Sequence, residues 1–199
     1  MKVIGLTGGI GSGKSTAAQF LAELGAVVLE LDKVGHEVLV PGSETWQRVV
    51  DEFGRGILTA NDEIDRTKLG KKVFSDSEAL TRLNSIIHPA IDAMVEARLE
   101  EYQRQGAKVV VLEAAAMLEA GRASQADEIW VTTAPESTVL KRLAEGKGYS
   151  EEEAKARIRS QMSDEERTSQ ADVVIDTDCS LEELRERVVE EWVKLKARL

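Results

Sequence analysis

A chain of 199 residues is long enough for one compact domain that buries roughly 70% of its unfolded surface, and too short for two large ones. Its 42% hydrophobic and 31% charged residues exclude a disordered or repetitive polymer. With 26 basic and 36 acidic side chains the formal charge is −10, which excludes a sequence-independent nucleic-acid binder held by counterion release. An anionic ligand must therefore be held by a local set of donors. The single cysteine, Cys179, cannot cross-link its own chain, and the amino terminus lacks a charged segment followed by a long apolar run. A cytoplasmic protein with no membrane or nucleic-acid partner is expected.

In chain order, short β-branched runs alternate with amphipathic stretches, the pattern of an α/β protein with a parallel sheet. Five strands are predicted: 3–7, 26–31, 108–112, 128–133 and 172–176. After the first, Gly8-Gly-Ile-Gly-Ser-Gly13-Lys14-Ser15 satisfies G-x-x-x-x-G-K-S and leads into a helix over 14–24 that carries Ala17, Leu21 and Leu24 on one side. Glycines let several N–H groups turn inward around one anion, and the helix adds its partial positive end. Lys14 is then expected at the β- and γ-phosphates and the Ser15 hydroxyl on Mg²⁺.

The helix leads away from the phosphates by about 16 Å at 1.5 Å per residue, and the second strand returns by roughly 20 Å. Asp32 is thereby expected at the same edge as the loop, as a base for an attacking group or as the cap of the next helix. His36 lies one turn further on. By the same rule Glu113, after the third strand, reaches the shared edge, either as a functional acid or as a solvated strand end.

Residues 36–105 read as a helical insertion, with Ser75 and Glu78 at capping-box spacing and Pro89 opening a helix. Residues 144–170 read as an irregular flap around Gly146 and Gly148, in which Ser150 and Glu153 cap another helix. The core is accordingly assigned to 1–35, 106–143 and 171–199. Arg142, Lys147, Arg157, Arg159 and Arg167 cluster in and beside the flap, and guanidinium forks suit phosphoryl oxygens. Arg159 is read as part of a solvated face. His36 and His88 have no Cys or His partner at metal-ligand spacing. The last helix, from Leu181 to about Arg198, should close the core with Leu184, Val188, Trp192 and Leu195.

The sequence as a whole resembles the dephospho-CoA kinase family, including the kinase domain of bifunctional CoA synthase. The resemblance rests on LTGGIGSGKST at the phosphate loop, LELDKVGHEVLVPG after the second strand, IDRTKLGKKVF and LNSIIHPAI in the insertion, LEAAAMLEAG after the third strand, and RIRSQM followed by ADVVID. It implies a P-loop NTPase fold of the nucleotide-kinase type: a five-stranded parallel sheet flanked by helices, a helical acceptor-binding insertion and a lid. It implies transfer of the ATP γ-phosphoryl group to the ribose 3′-hydroxyl of dephospho-CoA.

Carried over by position, Asp32, Lys14 and Arg142 are the expected catalytic residues. Gly8, Gly9, Gly11, Ser12, Gly13, Lys14, Ser15 and Thr16, with Arg142, are expected on the nucleotide. Asp32, His36, Arg66, His88, Pro89, Glu113, Arg157 and Gln161 are expected at the acceptor or lid. The chain departs from the common family pattern at three places. Glu113-Ala-Ala-Ala-Met replaces Asp-Val-Pro-Leu-Leu, Gly146-Lys147 stands where many members carry Arg-Asp, and Thr177 stands for Asn at the adenine contact. Asp32-Lys-Val-Gly35 also fits the D-x-x-G pattern of GTP-hydrolysing switches, but it follows the phosphate loop too closely and no N-K-x-D follows. A kinase acting on a nucleoside or nucleotide, and a nucleotide-binding regulator without transfer, would use the same phosphate loop.

Overall fold

The computed structural model describes residues 1–73 and 76–199. The elements follow in the order β1 (Lys2–Gly8), α1 (Lys14–Glu23), β2 (Val27–Glu30), α2 (Leu31–Glu37), α3 (Glu44–Phe53), α4 (Arg66–Val73), α5 (Ser77–Arg104) and β3 (Val109–Glu113). They continue with β4 (Glu128–Thr133), α6 (Glu136–Lys147), α7 (Glu151–Arg159), α8 (Asp164–Thr168), β5 (Val173–Asp176) and α9 (Leu181–Lys196). The chain forms two compact units, one of Met1–Glu30 with Tyr102–Leu199 and one of Leu31–Glu101.

The first unit is built on a five-stranded sheet in the order β2-β3-β1-β4-β5, parallel throughout. Parallel strands need covered faces, and this composition supplies them. Ile4 and Leu6 of β1, with Val109 and Val111 of β3, Trp130 and Ile175, pack against Ala17, Ala18 and Leu21 of α1 and against Leu184, Val188, Trp192 and Leu195 of α9. Ser180 caps α9 by accepting from the Glu183 N–H, while the Glu183 carboxylate accepts from the Ser180 N–H. The central strand β1 ends in the phosphate loop, with β3 on one side and β4 on the other.

Near the flap the structure corrects the expectation from sequence. Gly146 and Lys147 are not an irregular segment but the last turn of α6. The reversal is made by Gly148, whose φ of 66° is left-handed, with its N–H on the Ala144 carbonyl. A lone glycine in a helix costs only about 1 kcal/mol, and the buried Val139 and Leu143 hold α6 in place. The predicted Ser150–Glu153 capping box is present.

The second unit contains α2 to α4 and α5 up to Glu101, around a core that includes Trp46, Val49, Phe53, Ile57, Leu69, Leu83 and Ile86. Trp46 Nε1 donates to the Asp62 carbonyl at 2.9 Å, so the indole satisfies its donor inside that core. Here too an expectation is corrected: Pro89 does not open a helix but lies inside the 28-residue α5. Apolar residues are buried on both sides of it, Ala79, Leu83 and Ile86 before and Ile91 and Val95 after. Their burial outweighs the ~3 kcal/mol that an interior proline costs. The proposed cap residue Ser75 lies outside the described residues. The Asp76 carboxylate accepts from the N–H groups of Glu78 and Ala79 at 2.9 and 3.1 Å.

Candidate active site

The loop between β1 and α1 is shaped by alternating conformations. Gly11 and Gly13 have φ of 75° and 80°, a backbone that turns successive N–H groups to one side. Gly8 pairs in register with Thr132, and a side chain there would overlap the Thr132 hydroxyl. Beneath the loop, the Ser12 hydroxyl and Thr132 Oγ1 are 2.8 Å apart and buried.

Lys14 opens α1, so its ammonium stands at the positive end of that helix. It donates to Glu113 Oε1 at 2.5 Å, and the Ser15 hydroxyl donates to the same oxygen at 2.8 Å. Glu113 is the last residue of β3, in register with Leu6 of β1 and Glu30 of β2. It is 7% exposed, so it is not a solvated strand end: it faces two functional groups of the phosphate loop. Ser15 Oγ and Glu113 Oε1 form a hard oxygen pair. No cluster of three or more His, Cys, Asp or Glu that could hold a metal exists among the described residues. One carboxylate and one hydroxyl match Mg²⁺, which keeps waters and takes its remaining ligands from phosphates.

Arg142, half-buried on α6, does not reach into open space. Its Nη1 donates to the Gly11 carbonyl at 3.2 Å and to Thr177 Oγ1 at 2.9 Å, and its Nη2 donates to the Thr177 carbonyl at 2.6 Å. Gln161, after α7, accepts from the Ile10 N–H at 2.8 Å, tying the predicted lid to the phosphate loop. Arg157 is exposed and lies over the Tyr149 ring at 4.5 Å. Arg159 is exposed, as expected of a solvated face, and also lines a cavity of about 790 Å³ together with Gly9, Ile10, Thr133, Gln161 and Asp164.

In the second unit Asp32 is exposed in the first turn of α2, where the helix end favours a negative charge. The Asp32 carbonyl lies 2.6 Å from His36 Nδ1. Arg66 is exposed at the start of α4, and His88 and Pro89 are adjacent in the middle of α5.

Two residues are built into the loop's surroundings by contacts that the sequence discloses only in part. Arg167 is fully buried, with Nη1 on Asp164 Oδ1 at 2.8 Å and Nη2 on Glu119 Oε1 at 3.0 Å. The Asp164–Arg167 spacing of i, i+3 is a readable signal for that pair. Thr177, 1% exposed, donates to a loop carbonyl. Nothing in its local sequence marks this contact, since it joins residues 165 positions apart.

A parallel sheet with a glycine-rich loop, Lys-Ser and an acidic strand end around one anion cage defines a P-loop NTPase of the kinase type. The family model described as Dephospho-CoA kinase matches residues 2–183. A Dephospho-CoA kinase of Carboxydothermus hydrogenoformans is 45% identical over 189 residues, covering 95% of this chain and 92% of that protein. A crystal structure from Thermus thermophilus superposes with a TM-score of 0.83 at 33% identity, over 97% of this chain and 96% of the other. The structure of a Dephospho-CoA kinase from Campylobacter jejuni gives 0.75 at 28% identity, over the whole of both chains. This chain belongs to the dephospho-CoA kinase family.

Proposed function

We propose that this protein transfers the γ-phosphoryl group of ATP to the ribose 3′-hydroxyl of dephospho-CoA, giving coenzyme A and ADP. The observation that carries this reading, within a chain of that family, is the convergence of Lys14 Nζ and Ser15 Oγ on one Glu113 oxygen at the mouth of the phosphate loop. In-line attack forms a bond from the acceptor oxygen to the γ-phosphorus and breaks its bond to the β,γ-bridging oxygen. The protein's task is to hold these atoms in line and to stabilise charge on the moving group.

Asp32 is assigned as the group that orients the acceptor hydroxyl and takes its proton. Lys14 and the loop N–H groups, from Gly8 through Thr16, hold the β- and γ-phosphates. Ser15 and Glu113 would hold Mg²⁺, whose charge would shield the phosphates. Arg66, His36, His88 and Pro89 are assigned to the acceptor, and Arg142, Arg157 and Gln161 to the nucleotide side and the lid. The cytoplasm as location belongs to the same proposal.

An ADP-release assay with dephospho-CoA, adenosine and AMP as rival acceptors tests the reading. Turnover with dephospho-CoA and little with the other two is expected. Turnover confined to adenosine or AMP would reassign the protein as a nucleoside or nucleotide kinase, and ATP binding without product from any acceptor would make it a regulator.

A further inference from the structure

The Thr177 hydroxyl is tied to the phosphate loop from outside the anion cage. Its oxygen lies 2.9 Å from the Ser12 carbonyl and 3.2 Å from the Thr133 carbonyl, and accepts from Arg142 Nη1 at 2.9 Å. The Thr177 N–H donates to the Thr133 carbonyl at 2.9 Å, which fixes the residue at the end of β5. A side chain on Gly13 would meet Thr177 Cβ, Oγ1 and Cγ2 at 3.1 to 3.2 Å, so the threonine packs directly on that glycine.

A trans peptide is planar, with its C=O and the next N–H pointing in opposite directions. Holding the Ser12 carbonyl outward therefore turns the Gly13 N–H inward. The Gly11 carbonyl is held outward in the same manner by Arg142. We infer that Thr177 is a positioning residue for the triphosphate: its hydroxyl fixes the Ser12–Gly13 peptide so that the Gly13 N–H is presented to the phosphates. This assignment gives Thr177 a role on the phosphates rather than on the adenine ring, and rests on the reading of Gly8–Ser15 as a triphosphate site.

Calorimetric titration of the full chain with MgATP and with Mg²⁺–tripolyphosphate, which has no base, tests it. Thr177→Val keeps the shape and removes the hydroxyl, and should weaken both ligands by about tenfold, the factor given by one ordinary hydrogen bond. Thr177→Ser keeps the hydroxyl and should stay within about twofold of the wild type for both. Loss confined to MgATP, loss of neither ligand, or equal loss in Thr177→Ser would each overturn the assignment. If Thr177→Val does not fold, Thr177→Ala takes its place. Failure of both to fold beside a folded Thr177→Ser would overturn a role limited to orientation. A wild-type protein that binds neither ligand would instead sink the triphosphate reading, and the role of Thr177 with it.

Discussion

The Lys14 ammonium and Glu113 Oε1 lie 2.5 Å apart, with side chains only 13% and 8% exposed. A buried ion pair is weak evidence for stability, because desolvation offsets most of the attraction. Its value here is positional, since the same carboxylate oxygen also accepts from Ser15. Glu113 thus aims the ammonium and the hydroxyl toward one point.

Glu113→Gln keeps the shape and removes the charge. Its expected effect is a loss of about 10–100-fold in kcat, the usual cost of removing a group that orients metal and phosphate ligands. The Mg²⁺ concentration for half-maximal rate should rise with it. A Mg²⁺ titration of the rate is the measurement, and an unchanged midpoint would remove Glu113 from the cation site.

Asp32→Asn tests the proton acceptance proposed for this residue apart from nucleotide binding. General-base help is worth about 10²–10⁴ in rate, so kcat should fall by that factor while ATP affinity, measured by titration without acceptor, stays at the wild-type value. Near-wild-type turnover would reject the assignment.

Lys14→Ala removes the ammonium assigned to the phosphates. ATP binding should be lost or the rate should collapse, as measured by nucleotide titration and ADP release. Unchanged kinetics would mean that the ammonium does not contact the phosphates.

The sheet and the loop are legible in the sequence because their signals are local. β-branched runs, a fixed motif spacing and Gly25 after the first helix are each read within a dozen residues. β4 has its predicted bounds, Glu128–Thr133, and the other strands agree to within a residue or so at each end. Local chemistry misleads where packing overrules it: Pro89 lies inside α5 because burial on both sides holds it there, and Gly146 lies in the last turn of α6 because the buried Val139 and Leu143 before it hold that helix. The contacts of Glu113 and Thr177, and that of Arg167 with Glu119, are invisible in the sequence for a different reason. Each depends on segments brought together from distant parts of the chain, such as β3 beside β1.

Arg167 is the largest buried charge in the flap region, and its two carboxylate partners, Asp164 and Glu119, are only partly buried. Arg167→Met should destabilise the protein by about 2 kcal/mol, because the acids recover water while the Met162 carbonyl loses its donor. Gln161, six residues earlier, should then release Ile10, seen as faster amide exchange at the start of the phosphate loop. Urea unfolding together with exchange at Ile10 tests both, and unchanged stability would show that the buried guanidinium contributes nothing net.

At the end of β5 the Asp178 N–H and then the Arg187 guanidinium hold the Asp176 carboxyl below the usual carboxylate range. A depressed acid stabilises the fold above its unfolded value, and that contribution disappears as the pH falls through the folded value. Asp176 is largely exposed, so solvent screening keeps the effect small. Asp176→Asn should lower the melting temperature by about 1–2 °C at neutral pH and by nothing once the wild-type acid is protonated. A difference that persists at low pH would assign the loss to packing.

Cys179 follows three residues later, half-buried against the main core, and burial raises its thiol above the usual range. Arg187 pulls the other way, while the charges of Glu183 and Asp176 add to the rise. The thiolate is the reactive form, so iodoacetamide should label Cys179 more slowly at neutral pH than it labels a free cysteine, with a midpoint shifted to more alkaline pH. Asp176→Asn removes one of the acids that favour the neutral thiol, so the labelling midpoint should move back toward the ordinary value in that variant. A midpoint that does not move would mean that the Asp176 charge does not act on the thiol, and one that rises would contradict the charge arrangement around β5.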